Sequence, residues 1–272
     1  DDYHGYRRLL HGNLHGDAVY KRTITTKQSK TGKRFFLYFE GVGSYATVFL
    51  NNKKVGEHSG GRTTFTLDVT DIIKTDGSKN ELLVKASHPA NIQDLPWVCG
   101  GCSNERGFSE GSQPMGIFRP VHLIVTNDVR IEPFGVHAWA DINEEQVILN
   151  LSATIKNYST QNKSIKVQHI LVDASGNKLS KSSEKILQIP EAETTAQQSE
   201  IANLKSKTSL WSVENPYLYK IVTLVKENNI IIDKLVTDFG FRTINWKTST
   251  NQFLLNNKPV FINGIAEYEH LL

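Results

Sequence analysis

Val147-Ile148-Leu149-Asn150-Leu151-Ser152-Ala153-Thr154-Ile155 decides the fold class. Leu149, Leu151, Ala153 and Ile155 share one parity, and polar Asn150, Ser152 and Thr154 share the other. A period of two belongs to a strand with one buried face, because successive side chains point to opposite sides. Working toward the N-terminus, residues 34–40 set Phe35, Leu37 and Phe39 against Phe36 and Tyr38. Residues 45–50 form another strand, which Asn51-Asn52-Lys53-Lys54 turns into Val55-Gly56. Residues 63–69 place Phe65, Leu67 and Val69 on one face, and residues 81–86 and 121–125 add two more strands. Asp71-Ile72-Ile73 fits one short helical turn.

The character changes around Asn127-Asp128. Residues 129–133 read as a crossing segment. Strands are then expected at 136–140, 147–155, 164–172, 185–189, 217–225 and 230–236. Asp173-Ala174-Ser175-Gly176-Asn177 and Glu227-Asn228-Asn229 are hairpin loops. About seven short strands over ~110 residues suit an immunoglobulin-like sandwich. The last segment reads as a hairpin, with Phe253-Leu254-Leu255 and Pro259-Val260-Phe261-Ile262 flanking Asn256-Asn257 and leading into Asn263-Gly264-Ile265. The strand that starts there meets no partner before Leu272, which points to truncation.

The 272 residues suffice for two ordinary domains with separate cores. The formal charge of +3 is small for that length, and no stripe of Lys and Arg forms, so a nucleic-acid surface is not expected. No apolar run approaches the roughly 20 residues that span a bilayer, so no membrane partner is expected either. Asp1 follows no Met and no signal peptide, so it is a mature end or a cut. Cys99 and Cys102 are the only cysteines. Zinc needs about four ligands, and a redox Cys-x-x-Cys belongs to a βαβ setting. A loop-closing disulfide or two free thiols is the simpler reading, and neither fixes the compartment.

Several segments carry a resemblance in their order. Phe39-Glu40-Gly41-Val42 precedes Ala46-Thr47-Val48-Phe49-Leu50-Asn51. Val55-Gly56-Glu57-His58, Gly60-Gly61, Phe65, Asp68-Val69-Thr70 and Asn80-Glu81-Leu82-Leu83-Val84 follow. Then come Gly116-Ile117-Phe118-Arg119-Pro120-Val121 and Leu210-Trp211-Ser212-Val213-Glu214-Asn215-Pro216-Tyr217-Leu218-Tyr219. Phe239-Gly240-Phe241-Arg242 and the Phe253, Leu255, Asn256, Lys258, Pro259 set close the series. In this order, over nearly the whole chain, they resemble family 2 glycoside hydrolases of the β-galactosidase/β-glucuronidase kind. The resemblance implies an all-β chain: a sugar-binding jelly-roll sandwich at 1–127, an immunoglobulin-like sandwich at 128–244, and at 245–272 a hairpin with the first strand of a missing (β/α)₈ barrel. On residue type alone, Arg119 and Arg242, each following an aromatic, suit stacking or a buried ion pair at a domain junction.

Retaining glycosidases need two carboxyl groups about 5 Å apart. In this family both are glutamates on late strands of a barrel of about 250 residues. The resemblance therefore implies no catalytic residue in this chain, no metal site and no cofactor. Asn80-Glu81, Asn104-Glu105 and Asn143-Glu144 match the family's acid/base dipeptide but follow no apolar barrel strand, so we read them as coincidence. His11 and His15 lie among glycines, which argues against a paired metal site. Asn150, Asn157 and Asn162 open sequons that are near chance in an Asn-rich chain. The loop over residues 96–115 is the candidate sugar contact, because relatives extend this loop into the barrel pocket. Glu110 would accept a sugar hydroxyl, Arg106 would neighbour it, Trp97 or Phe108 would stack, and Ser112 lies alongside; the bland alternative is a solvated loop with a local Arg106–Glu110 pair. Glu269 and His270 match a family stretch after the first barrel strand, although Ala266 and Tyr268 depart from its Asn and His. The implied parent is an exo-β-glycosidase, β-galactosidase-like, acting on a carbohydrate substrate in the periplasm or outside the cell, with homo-oligomerisation left open. A stand-alone carbohydrate-binding module is the alternative. Such a module needs an exposed aromatic platform, whereas Phe35, Phe39 and Phe65 sit at core parity.

Overall fold

The computed structural model describes residues 16–61, 63–88 and 116–264, and all regular structure among them is β. Contacts divide the chain into two compact units, one running to Val125 and the other covering Thr126–Gly264.

The first unit holds β1 (Gly16–Ile24), β2 (Lys33–Phe39), β3 (Val42–Gly43), β4 (Tyr45–Leu50), β5 (Lys53–Ser59), β6 (Phe65–Asp68), β7 (Asn80–His88) and β8 (Gly116–Ile117), with β9 (Val121–Asn127) crossing its end. One sheet runs β1-β7-β4-β5, a second runs β6-β2-β9, and β3 pairs β8. Phe35, Leu37 and Phe39 point inward from β2, and Ala46, Val48 and Leu50 point inward from β4. Leu82, Val84 and Ala86 of β7 complete a continuous core with Val69 and Ile73. Each fully buried large side chain stabilises the unit by about 1.5–3 kcal/mol. Phe36, at the opposite parity, is also buried. The expected helical turn is present, since Val69 C=O accepts from Ile72 N at 3.0 Å and Ile73 N at 2.9 Å. Arg34 Nη2 donates to Asp68 Oδ2 at 2.5 Å, and Thr70 donates to Asp68 Oδ1 through both N and Oγ1. Burial alone would raise the Asp68 carboxyl, but the bonds from Thr70 and Arg34 outweigh it and hold it below the usual carboxylate range.

The second unit holds β10 (Val129–Ile142), β11 (Val147–Asn157), β12 (Lys163–Val172), β13 (Lys178–Lys181), β14 (Lys185–Ile189), β15 (Thr194–Ile201), β16 (Tyr219–Glu227), β17 (Ile230–Phe239), β18 (Ile244–Lys247), β19 (Gln252–Leu255) and β20 (Lys258–Pro259). Sheet β10-β11-β15 faces sheet β13-β12-β16-β17, with β14 also on β12, in an immunoglobulin-like sandwich. A small meander, β18-β19-β20, follows. The expected crossing segment at 129–133 is instead the first part of β10, with Val129, Arg130 and Ile131 opposite Asn157, Lys156 and Ile155. The register shifts between Ile131 and Val136, where Pro133 offers no N–H to the ladder and Phe134 adopts φ 57°.

Three hairpins close on the same dipeptide. Asn51-Asn52, Asn228-Asn229 and Asn256-Asn257 all have both φ values positive, between 49° and 65°. Their flanking pairs are Leu50↔Lys53, Glu227↔Ile230 and Leu255↔Lys258, so each loop has two residues. This is the type I′ geometry that matches strand twist, and Asn tolerates it better than any branched residue. The sequon at Asn157 has another use: its buried amide donates to the carbonyls of Gln161, Ile189 and Pro190. No glycan fits there.

Gly240 lies under Trp211, whose Cβ and ring atoms stand 3.2–3.3 Å from where a glycine Cβ would be. The Arg242 guanidinium lies over the Trp211 ring, 5.1 Å from its centroid, and Asn256 Nδ2 donates to Trp211 O at 2.9 Å. Arg119 stacks at 5.7 Å on Phe118. Both arginines thus stack on aromatics as their sequence context suggested, and both are exposed.

His169 on β12 is fully buried, with Nδ1 at 2.9 Å from Thr223 Oγ1 on β16 and no hydrogen-bond partner at Nε2. Burial lowers its pKa from 6.5 to about 4. The unfolded chain takes the proton first as pH falls through 6.5. Stability of the second unit is therefore full above that pH and drains away as pH approaches about 4, by about 3 kcal/mol in all. Urea-unfolding midpoints between pH 7 and pH 4 should show this slope, and His169→Gln should flatten it.

Candidate functional site

The loop singled out above lies between His88 and Gly116, and its two ends are held by the consecutive residues Val42, Gly43 and Ser44. β3 pairs β8 through Gly43↔Gly116 and Val42↔Ile117. One residue on, Ser44 N donates to Ser87 O at 3.0 Å, and Ser44 Oγ lies 2.9 Å from His88 Nδ1. Gly60 N donates to Ser44 O at 2.9 Å, which closes the base from the β5 side. Ser44 and His88 are fully buried. A Ser–His pair is the nucleophile and base of an acyl-transfer dyad, but here both side chains are buried from solvent. The pair anchors the stem.

Two glycines permit this packing. Gly116 has φ 79°, and a Cβ there would lie 2.0 Å from the Tyr20 hydroxyl. At Gly41 a Cβ would lie 2.7 Å from the Phe118 ring. Beside the stem an open cavity of ≈ 520 Å³ has walls from Tyr20, Leu82, Val84 and Ile117, with Arg22 and Arg119 at its rim.

Sequence reasoning placed the sugar contacts at Trp97, Arg106, Glu110, Ser112, Glu269 and His270. All six lie outside the described residues, as do Phe108, Cys99, Cys102, His11, His15 and Asn104-Glu105. The other two Asn-Glu dipeptides are structural. Asn80 is buried, donating to Lys74 O and accepting from Lys74 N and Asn51 Nδ2, while Glu81 pairs with Lys21 at 2.7 Å. Asn143 Oδ1 accepts from Glu145 N and Gln146 N to close a turn. Among the described residues no three His, Cys, Asp or Glu side chains gather as a metal site would require. Sequence reasoning missed Ser44 and His88. The only hint was the Gly60-Gly61 pair and the glycines flanking Val42.

The family model described as "Glycosyl hydrolase 2 galactose-binding domain-like" matches residues 12–95, and the one described as "Glycosyl hydrolases family 2" matches residues 129–242. The chain is 29% identical over 258 residues to beta-galactosidase BoGH2A of Bacteroides ovatus, covering 94% of this chain and 28% of that protein. It is 27% identical over 260 residues to a beta-glucuronidase of Bacteroides fragilis, covering 93% of this chain and 35% of that protein. The chain thus spans about a third or less of these curated relatives. Among solved structures, a putative beta-galactosidase from Bacteroides fragilis superposes with a TM-score of 0.81 at 25% identity, over 95% of this chain and 38% of that one. Bacteroides uniformis beta-glucuronidase has the same fold, with a TM-score of 0.81 at 24% identity over 97% of this chain and 31% of that one.

Gly116→Ala should destabilise the first unit by about 2 kcal/mol or more, through the left-handed backbone and the Tyr20 contact together. Adding Tyr20→Phe should return part of the loss. Denaturant midpoints of the two single variants and the double variant read the coupling.

Proposed function

The chain belongs to glycosyl hydrolase family 2, and we propose that it is the non-catalytic N-terminal region of a retaining exo-β-glycosidase of β-galactosidase type. One observation carries this reading. The galactose-binding-like domain and the family 2 domain follow one another in this order, within an alignment covering more than nine-tenths of the chain that runs through glycosidases of both kinds. The two sandwiches would supply no reacting group. They would support the segment between His88 and Gly116 from a buried base, so that it meets the sugar in a pocket built elsewhere in the parent.

In that segment Glu110 would accept a sugar hydroxyl, with Arg106 beside it, Trp97 stacking and Ser112 alongside. Glu269 and His270 would face the same pocket. A carboxylate among the contacts suits a neutral galactose. It would repel the carboxylate of a glucuronic acid at close range. This favours galactose, although relatives named for both sugars resemble the chain to a similar degree. Hydrolysis in the parent would follow the two-carboxylate route, one group as acid/base and one as nucleophile.

The purified 272-residue chain should not turn over nitrophenyl β-galactoside or β-glucuronide; turnover of either would overturn the non-catalytic reading. The parent enzyme should prefer the galactoside by at least about tenfold in kcat/KM, about 1.4 kcal/mol in the transition state. In the parent, Glu110→Ala should raise KM or lower kcat by about tenfold, as loss of a hydrogen bond made by a charged group predicts. If both constants stay unchanged, Glu110 makes no sugar contact.

A further inference from the structure

The outward parity of β10 carries His137, Trp139 and Asp141, while Ala138, Ala140 and Ile142 pack against the core. Trp139 is 47% exposed in the middle of this row. Among the described residues no ring contact, hydrogen bond or ion pair occupies its indole. Its direct partners across the sheet are polar, and the one apolar side chain in the flanking rows is Ile148, opposite Asp141. Trp139 lies opposite Asn150, which lies opposite Glu200. In the next row His137 lies opposite Ser152, and Ser152 opposite Gln198. Asn150 Nδ2 donates to Asp141 Oδ2 at 2.7 Å, which fixes the amide and leaves its carbonyl oxygen free to accept.

We propose that the outer face of the β10-β11-β15 sheet is a carbohydrate-binding platform centred on Trp139, which takes an uncharged β-linked oligosaccharide. A flat indole accepts the apolar face of a pyranose ring, whose hydroxyls then point sideways. The ring of amides, hydroxyls and carboxylates around Trp139 meets those hydroxyls as donors and acceptors. Asp141 and Glu200 oppose a uronate, so the ligand is neutral. An apolar protein partner would need a contiguous apolar patch, and beside Trp139 the paired rows offer only Ile148 among polar side chains. The choice of a glycan as ligand rests on reading the parent as a glycosidase. The sheet-face geometry does not.

Affinity electrophoresis of the 272-residue chain in gels holding soluble β-1,4-galactan, β-1,3-glucan or xylan tests this. The chain should be retarded in at least one gel, and Trp139→Ala should weaken the apparent affinity roughly tenfold or more, as truncation of a central aromatic anchor does. Asn150→Ala should weaken it several-fold. Trp246→Ala, which removes another exposed indole, should leave it unchanged. Trp139 is at solvent parity, so its variant should keep the wild-type unfolding midpoint. No retardation in any gel overturns the proposal, as does retardation that survives Trp139→Ala. Self-association lost in Trp139→Ala without retardation in any gel also overturns it, in favour of a protein-docking face. Hydrolysis of a small aryl glycoside by the parent reads the glycosidase assignment by itself, so the two readings fail separately.

Discussion

Leu149, Leu151, Ala153 and Ile155 are all fully buried along β11, the middle strand of its sheet. A slip of one residue would turn these four to solvent and drive Asn150, Ser152, Thr154 and Lys156 into the core. At about 1.5–3 kcal/mol for each of the three large side chains, and about 1–3 kcal/mol more for each polar group buried without a partner, the slip would cost as much as the net stability of a domain. The register of β11 therefore constrains β10 on one side and β15 on the other, through Leu151↔Ala138 and Leu151↔Ser199. The Asn-Asn turns hold other registers in the same way. A two-residue loop has no slack to absorb a slip, so Asn228-Asn229 ties Glu227 to Ile230 as firmly as packing ties β16 to β12.

This constraint also explains which strands could be read from the residues. Where one parity is apolar, as in β2, β4 and β11, the strand was visible. β15 was not, because its inward side carries Thr195, Gln197 and Ser199 before Ile201, and both faces look polar. β13 is four residues long and has no apolar pair. The first part of β10 was misread because Pro133 and Gly135 look like punctuation. They mark a bulge inside one continuous strand. The turns at Asn51-Asn52, Asn228-Asn229 and Asn256-Asn257 were legible because their chemistry is local.

The stem of the candidate sugar loop was illegible for the opposite reason. Ser44 and His88 stand 44 residues apart and meet only because β4 pairs antiparallel with β7, Tyr45 opposite Ser87. Neither residue carries a local motif. The family resemblance pointed to the loop itself, whereas the buried base under it depends on tertiary pairing. The same holds for His169, which sits in a polar-looking stretch and becomes a buried, neutral imidazole only when β12 and β16 pair.

β10 inverts the usual arrangement of large and small residues. Its small side chains, Ala138 and Ala140, point inward, and its largest, Trp139, points out. The inward alanines are dictated from across the strand pair, where Leu151 and Leu149 lie opposite them and fill the space. Larger residues at 138 and 140 would overpack a core already closed by those leucines. No such packing demand acts on position 139, whose partner across the pair is Asn150. A small polar residue would satisfy the sheet there at no cost to the core. The core thus accounts for the alanines and leaves the tryptophan unexplained. An exposed indole whose direct partners across the sheet are hydrogen-bonding groups matches the chemistry of a sugar ring, apolar on its face and polar at its edge.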